Sequence, residues 1–311
     1  MLFINLLLFL VACGLLTLSG NFLLRSLEKI AKSYELREFV IGFIVIAFAT
    51  SIPELFVGII SSLEKIPSLS LGNIIGANIV NLTLVIGMVS LLGKTVKVES
   101  EIEKRDIVYT SMIAILPLVL FLDGELSRFD GIVLLFMFFL YMLRLFFQRK
   151  RFKKVLNGVV RKEIPIETVI FIISLIALLI SSRFIVQFAS DIALELALPP
   201  ILIGLVVVSI GTTLPEITFE IYSVLKEYSG MAMGNLLGSV VANSTLILGI
   251  ASVIYPIRAY FPSFLGGALF LMLSLLVFGI FAKTGKEITR KEGMIFLILY
   301  ILFLIFSIFT R

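Results

Sequence analysis

Residues 41–54 read IGFIVIAFATSIPE, and residues 203–216 read IGLVVVSIGTTLPE. The two stretches are offset by 162 positions, and the same offset relates Gly72 to Gly234 with no insertion. It relates three further pairs: Asn73 and Asn235, Gly76 and Gly238, Asn81 and Asn243. Chance similarity between apolar segments does not keep register through glycine, asparagine, proline and glutamate. The chain is therefore predicted to consist of two related halves.

The rest of the chain is too apolar to fold in water. Of its 311 residues 59% are hydrophobic and 15% are charged, and the mean hydropathy is +1.14, which indicates an all-α integral membrane protein. The apolar stretches predict ten transmembrane helices, near residues 2–24, 37–62, 68–92, 105–122, 130–147, 165–187, 199–225, 229–254, 262–282 and 287–309.

Each half then has five spans. An odd number of spans places the second half upside down in the membrane relative to the first, so we expect two inverted five-helix repeats, residues 1–148 and 165–311, joined by a basic cytoplasmic linker at 149–164. Inverted repeats are typical of secondary transporters, which bind their substrate near the membrane midplane where the repeats meet.

Lysine and arginine counts predict the orientation. The odd-numbered connections between these spans hold three, three, seven, one and two basic residues, whereas the even-numbered connections hold one, one, none and one. Cytoplasmic connections are richer in these residues, so both termini are predicted outside the cell membrane. The net charge of +5 is explained by this topology and by contact with the lipid bilayer, and it does not indicate a nucleic-acid partner.

Two glutamates, Glu54 and Glu216, fall in the middle of the second and seventh spans, each directly after a proline. A carboxylate at that depth usually marks an ion pathway. Pro53 and Pro215 lack an amide hydrogen and interrupt their helices, which loosens the backbone around Ala49 and Gly211 and frees carbonyl oxygens that a cation satisfies.

Further polar groups surround these glutamates in the sequence. They are the hydroxyls of Thr50, Ser51, Thr212 and Thr213 and the amides of Asn81 and Asn243. Carboxylate, hydroxyl, amide and carbonyl oxygens form a hard site, which suits calcium or sodium and suits soft transition metals poorly. The GNIIGANIVN and GNLLGSVVAN segments at 72–81 and 234–243 place glycines four apart, which predicts close helix packing.

The doubled pattern of ATSIPE with GNIIGANIVN and GTTLPE with GNLLGSVVAN resembles the two alpha-repeats of the calcium/cation antiporter superfamily, in its sodium/calcium exchanger branch of the prokaryotic type. The resemblance covers essentially the whole chain. It implies an antiporter that exchanges Ca²⁺ for Na⁺ by alternating access, with no cofactor besides the transported ions, and we expect a monomer.

The resemblance also implies a set of ion ligands in this chain. They are the carboxylates of Glu54 and Glu216, the hydroxyls of Thr50, Ser51, Thr212, Thr213 and Ser239, the backbone carbonyls of Ala47 and Ser209, and the amides of Asn81 and Asn243. Two positions depart from the family pattern. Ala77 stands where serine is typical, and Asn243 stands where several prokaryotic members have aspartate.

Two other functions compete with sodium/calcium exchange. A Ca²⁺/H⁺ antiporter on the same fold stays open, because closely spaced glutamates also exchange protons. A membrane-embedded enzyme is disfavoured, since the chain has no histidine, no Gly-x-Ser-x-Gly motif and no paired aspartates. Glu220 has Gly58 as its repeat mate. We expect it to reach water near a span end or to pair with Lys226, in preference to a role as an accessory cation ligand.

Overall fold

The computed structural model describes residues 2–33, 50–92, 95–97, 104–148, 164–225, 229–284 and 287–309. Three features predicted from the sequence lie outside these ranges: the carbonyl ligand at Ala47, the basic linker except for its last residue, and Lys226 as a partner for Glu220.

The described part of the first half is helical apart from two short strands. Its elements are α1 (Leu2–Ser33), α2 (Ile52–Leu63), α3 (Pro67–Val80), α4 (Ile86–Leu92), β1 (Thr95–Lys97), α5 (Lys104–Leu120), β2 (Glu125–Leu126) and α6 (Arg128–Gln148). A π-helical turn, Asn81–Val85, joins α3 to α4, so Pro67–Leu92 is one continuous apolar helix.

The second half contains the same kinds of element. They are α7 (Ile164–Glu195), α8 (Pro200–Ile203), α9 (Ser209–Thr212), α10 (Leu214–Leu225), α11 (Ser229–Val241), α12 (Leu248–Ile254), β3 (Ile257–Arg258), α13 (Phe261–Thr284), β4 (Glu287–Thr289) and α14 (Arg290–Phe309). π-Helical turns join α8 to α9 at Gly204–Val208 and α11 to α12 at Ala242–Ile247.

Element boundaries recur at the 162-residue offset found in the sequence. The helices α1 and α7 match at both ends, as do α4 and α12, while α2 and α10 begin at the equivalent residues Ile52 and Leu214. The π-helical turn after α3 also recurs after α11. The described secondary structure of the second half therefore repeats that of the first.

Seven of the described helices are long and apolar enough to cross a membrane, and the bent pair Pro200–Thr212 and Leu214–Leu225 makes an eighth. Many of their large apolar side chains are exposed, for example Leu10, Phe136 and Ile172, which is expected for surfaces that face lipid. The chain is thus a multi-pass membrane protein, and the count of ten spans stays a prediction.

The equivalent helices α1 and α7 pack along each other in opposite directions. Lys29 near the end of α1 forms a 2.6 Å ion pair with Glu167 near the start of α7. At the other end, Asn5 Nδ2 donates to Glu195 Oε1 at 3.1 Å. Both helices are 32 residues long, about 48 Å at 1.5 Å per residue. They extend well beyond the predicted ends at 24 and 187, because their terminal turns are stabilised against each other.

The apolar core has two parts. One cluster joins α1 and α7 to a few residues of the broken helices, including Ile52, Val57 and Val208. The other and larger cluster runs through the remaining helices, α3 to α6 and α11 to α14. The α1–α7 pair therefore forms a layer with its own buried contacts.

Two small antiparallel strand pairs connect the halves. β1 pairs with β4, with Val96 opposite Ile288, and β2 pairs with β3, with Leu126 opposite Ile257. Each pair contains one strand from each half. The two pairs are equivalent, because at the 162-residue offset β1 corresponds to β3 and β2 corresponds to β4. The two halves are thus interlocked.

Candidate ion-binding site

The broken helices bring the two glutamates into the interior. Glu54 lies in the first turn of α2 and Glu216 in the first turn of α10, and their exposures are 0% and 1%. The two carboxylates interact electrostatically with each other. None of their four oxygens has a hydrogen-bond partner. Unpartnered buried acceptors carry a large desolvation cost, which a bound cation offsets.

The residues that directly precede the two glutamate-bearing helices have the same backbone geometry. Ser51 has φ −79° and ψ 1°, and Thr213 has φ −81° and ψ −2°. A new helix starts directly after each of them, because proline is well accommodated in the first turn but not in a helix interior. At the second break the helix bends by 43°. The predicted interruption is confirmed there, with its centre at Thr213, two residues beyond Gly211.

Each glutamate therefore sits at the N-terminal end of a helix. The unsatisfied amide groups of a first turn carry a partial positive charge that stabilises an anion. This end effect helps to hold a carboxylate in the interior.

The threonines before the breaks contact the opposite half. Thr212 Oγ1 donates to Asn73 Oδ1 on α3 at 3.1 Å, and Thr50 Oγ1 donates to Asn235 Oδ1 on α11 at 3.0 Å. Thr50 also lies 3.2 Å from the hydroxyl of Ser239. Thr212 lies next to Glu54, and Thr50 next to Glu216. The predicted hydroxyls of the two halves are thus interleaved around the two carboxylates.

Three further predicted ligands lie at or beside the breaks. The hydroxyl of Ser51 is buried and has no partner. The hydroxyl of Thr213 donates to the backbone carbonyl of Ser209 at 2.6 Å. The same carbonyl lies 3.4 Å from Thr212 Oγ1. Ser209 O is therefore surrounded by donors from its own helix.

The two predicted amides lie in the π-helical turns. Asn243 Nδ2 donates to Asn78 Oδ1 at 3.1 Å, which leaves Asn243 Oδ1 buried without a partner. In the first half, Asn81 Nδ2 is buried without a hydrogen-bond partner. Wide turns of this kind are frequent at functional sites. The free carbonyl oxygen of Asn243 is available to a cation.

The glycines of α3 let the helices approach at backbone distance. A Cβ on Gly72 would lie 2.0 Å from the carbonyl oxygen of Ile201, and one on Gly76 would lie 2.2 Å from that of Leu205. The packing role predicted for these glycines is confirmed. It places α3 and its asparagines directly against the broken helix that carries Thr212.

One expectation from the sequence is wrong. Glu220 does not reach water, because its exposure is 3%, and its Oε1 accepts a 3.0 Å hydrogen bond from Asn235 Nδ2. The end of α10 is covered by α11, to which Asn235 belongs. Sequence reasoning also gave no role to Asn73, Asn78 or Asn235, although the 162-residue offset of Asn73 and Asn235 marked them.

The chemistry of the site is that of hard oxygen atoms. Within the described ranges no three histidine, cysteine or acidic side chains are grouped as they would be to hold a metal on their own. The ligands of a cation here would come from two carboxylates supplemented by hydroxyl, amide and backbone oxygens. Such a donor set fits calcium and sodium.

The sequence matches the family model described as "Sodium/calcium exchanger protein" over residues 4–147 and again over residues 166–309. The chain belongs to this family. It is a membrane cation antiporter and not an enzyme, as predicted from the sequence.

Related proteins match this exchanger-family chain over nearly its full length. An uncharacterised membrane protein of Methanocaldococcus jannaschii, MJ0091, is 31% identical over 94% of this chain and 95% of its own. The sodium/calcium exchanger MaX1 of Methanosarcina acetivorans is 28% identical over 98% of this chain and 99% of its own.

A solved structure shows the same fold. The sodium-calcium exchanger NCX_Mj, soaked with 100 mM Na⁺ and 10 mM Sr²⁺, superimposes with a TM-score of 0.71 at 29% identity and covers 97% of this chain and 98% of its own. The same exchanger soaked without Na⁺ and Ca²⁺ gives a TM-score of 0.68.

Proposed function

We propose that this protein exchanges Ca²⁺ for Na⁺ across the cell membrane by alternating access, with the ions bound between Glu54 and Glu216. The observation that carries the proposal is that all four carboxylate oxygens are buried without a hydrogen-bond partner. Family membership and the names of MaX1 and NCX_Mj support calcium and sodium as the two substrates.

The charge of the site explains how the two ions compete. With both glutamates ionised the site carries about two negative charges, which one Ca²⁺ or at least two Na⁺ would neutralise. An empty, doubly charged site is costly to enclose in a low-dielectric interior. Exchange is then favoured over leak, because the site closes readily only when it is loaded.

The proposed ligands are those expected from the sequence. Glu54, Glu216, Thr50, Thr212 and Ser239 lie in one network of contacts and electrostatic interactions. The remaining proposed ligands among the described residues are Ser51, Thr213, Ser209, Asn81 and Asn243. Two of these, Ser51 and Asn243, have a buried oxygen atom without a partner.

Alternating access requires one part of the protein to move past another. The α1–α7 pair has its own apolar cluster against the broken helices, and we assign the motion to this pair. The antiparallel packing of these equivalent helices supports two inverted five-span repeats at 1–148 and 165–311. The distribution of basic residues supports a cytoplasmic linker at 149–164 and termini outside.

The second candidate is a Ca²⁺/H⁺ antiporter. Ala77 favours proton exchange. This buried residue is equivalent to Ser239 in the second half, whose hydroxyl contacts Thr50. Because alanine has no hydroxyl, the first half lacks one sodium ligand. Two closely spaced carboxylates would carry protons in place of sodium.

Imposed ion gradients distinguish the two candidates. Purified protein in liposomes, loaded with ⁴⁵Ca²⁺, is diluted either into sodium buffer at equal pH or into sodium-free buffer with an imposed pH difference. We expect rapid calcium efflux in the sodium arm only. Efflux driven by the pH difference alone would establish the proton antiporter, and no efflux in either arm would refute both candidates.

A further inference from the structure

Glu220 is a third carboxylate in the interior, one turn beyond Glu216 on α10. Its side chain is 3% exposed, and none of the ion pairs among the described residues includes it. Its hydrogen bond to Asn235 Nδ2, at 3.0 Å, joins α10 to α11. Asn235 itself is fully buried.

Asn235 links Glu220 to the ion site. Its Oδ1 accepts the hydroxyl of Thr50 at 3.0 Å, and Thr50 lies 3.2 Å from Ser239. A side-chain amide has a donating end and an accepting end, and it is the donating nitrogen of Asn235 that is bound to Glu220 Oε1. Glu220 therefore fixes the amide with its nitrogen toward the carboxylate and its oxygen toward Thr50.

The first half has the same asparagine without the carboxylate. Asn73 Oδ1 accepts the hydroxyl of Thr212 at 3.1 Å, but Asn73 Nδ2 is buried with no partner. The residue equivalent to Glu220 is Gly58, where a Cβ would lie 3.0 Å from Ile247 Cγ2 and 3.1 Å from Ser70 Oγ. Even a Cβ would be tight against these two side chains, and the orienting carboxylate exists in one half only.

We propose that Glu220 is a positioning residue that acts through Asn235 to orient the hydroxyl of Thr50 in the ion site. When the hydroxyl hydrogen of Thr50 is donated to Asn235, the Thr50 oxygen acts as an acceptor, toward Ser239 or toward a cation. Without the carboxylate the amide is free to turn over and present its nitrogen to Thr50, which reverses the hydroxyl. This inference rests on the proposed exchange function and assigns one ligand's orientation within it.

The test compares the apparent calcium affinity and the maximal rate of exchange in proteoliposomes. Glu220→Ala is expected to raise the half-saturating calcium concentration roughly tenfold, the effect of losing one buried hydrogen bond, with a much smaller change in maximal rate. Glu220→Gln keeps an acceptor for Asn235 and is expected to stay within about twofold of wild type. Ser223→Ala is the matched control, since Ser223 is buried on the same helix and its hydroxyl has no partner.

Exchanging the donor and the acceptor between positions 220 and 235 distinguishes an effect on the orientation of Thr50 from a general loss of protein stability. Asn235→Asp places an acceptor opposite Glu220 and is expected to weaken calcium binding at least as much as Glu220→Ala. The double variant Glu220→Gln with Asn235→Asp restores one donor and one acceptor, because the glutamine nitrogen donates to the aspartate. It is expected to recover most of the affinity. General loss of packing would not be repaired in this way.

The outcomes are distinct. Wild-type affinity in Glu220→Ala would overturn the proposal, as would equal impairment of Glu220→Gln and Glu220→Ala, which would assign the effect to charge. Failure of the double variant to recover would also overturn it. If wild type and Ser223→Ala both lack calcium-dependent exchange, it is the proposed function that fails.

Discussion

The two halves of the candidate ion site have the same backbone geometry and differ in their polar contacts. Ser51 and Thr213 have nearly the same dihedral angles, and the helix that follows each of them carries a buried, unpartnered glutamate. The surroundings then diverge. Thr50 contacts the hydroxyl of Ser239, whereas position 77, the mate of 239, is an alanine.

This difference shows what a repeat imposes and what it leaves free. The prolines and glycines fix where the chain bends and how closely helices approach, so the carboxylates are placed symmetrically. Single residues then make the two sides chemically unequal. Ala77 is equivalent to Ser239, and Gly58 is equivalent to Glu220. Substitutions in matched positions test each part of this comparison.

The largest effect is expected at the symmetric carboxylates. Glu54→Gln and Glu216→Gln should each reduce calcium-dependent exchange on the order of 100-fold or more, because each removes one of two charges that a buried cation requires. The measurement is ⁴⁵Ca²⁺ efflux from proteoliposomes driven by a sodium gradient.

The control is Glu125→Gln, which removes a carboxylate that is paired with Arg258 outside the ion site. It should transport as wild type does. If either glutamine variant at position 54 or 216 kept wild-type flux, the assignment of that carboxylate to the ion site would be wrong.

A smaller effect is expected from the close helix contact. Gly76→Ala introduces a Cβ that would lie 2.2 Å from Leu205 O and 2.7 Å from the side chain of Ser209. Overpacking of this kind costs about 1–3 kcal/mol, so the unfolding temperature in detergent should fall measurably. Gly279→Ala, where nothing lies within 4 Å, should leave it unchanged. Equal unfolding temperatures for the two variants would contradict the contact between α3 and the broken helix.

The smallest effect is expected at the asymmetric hydroxyl. Ser239→Ala makes the second half resemble the first and should lower the apparent sodium affinity about threefold to tenfold, since one neutral oxygen ligand is lost. Ala77→Ser makes the first half resemble the second and should raise it. Sodium dependence of calcium efflux measures both. Opposite signs support the ligand role of these positions, and a lack of response in both would exclude it.

Much of the architecture follows from sequence pattern alone. The 162-residue offset predicted the duplicated elements, and the proline positions predicted the helix breaks, because both depend on local backbone chemistry. The sequence predicted that the two halves meet at the site, but it did not predict which hydroxyl of one half lies beside Glu54 of the other. Contacts such as Thr212 to Asn73 cross between helices that are far apart in the chain.

Other features were beyond local reasoning. The helices α1 and α7 continue past the ends predicted at 24 and 187, and contacts between them stabilise their terminal turns. The burial of Glu220 is likewise a property of the α10–α11 contact. A glutamate near the end of an apolar span looks solvent-accessible in sequence, and only a neighbouring helix decides otherwise.

The sequence by itself determined the membrane environment, the doubled plan, the helix break before Glu216 and the candidate oxygen ligands. Each of these is a matter of composition, periodicity or the covalent limits of proline. The tertiary structure alone decided which polar atoms meet: that Thr50 lies against Asn235 and Ser239, that Asn235 in turn holds Glu220, and that the carboxylates of Glu54 and Glu216 are left without donors. The physical reason is that buried polar groups are satisfied by whatever the packing brings within about 3 Å. In this protein, packing places residues from both halves around one site.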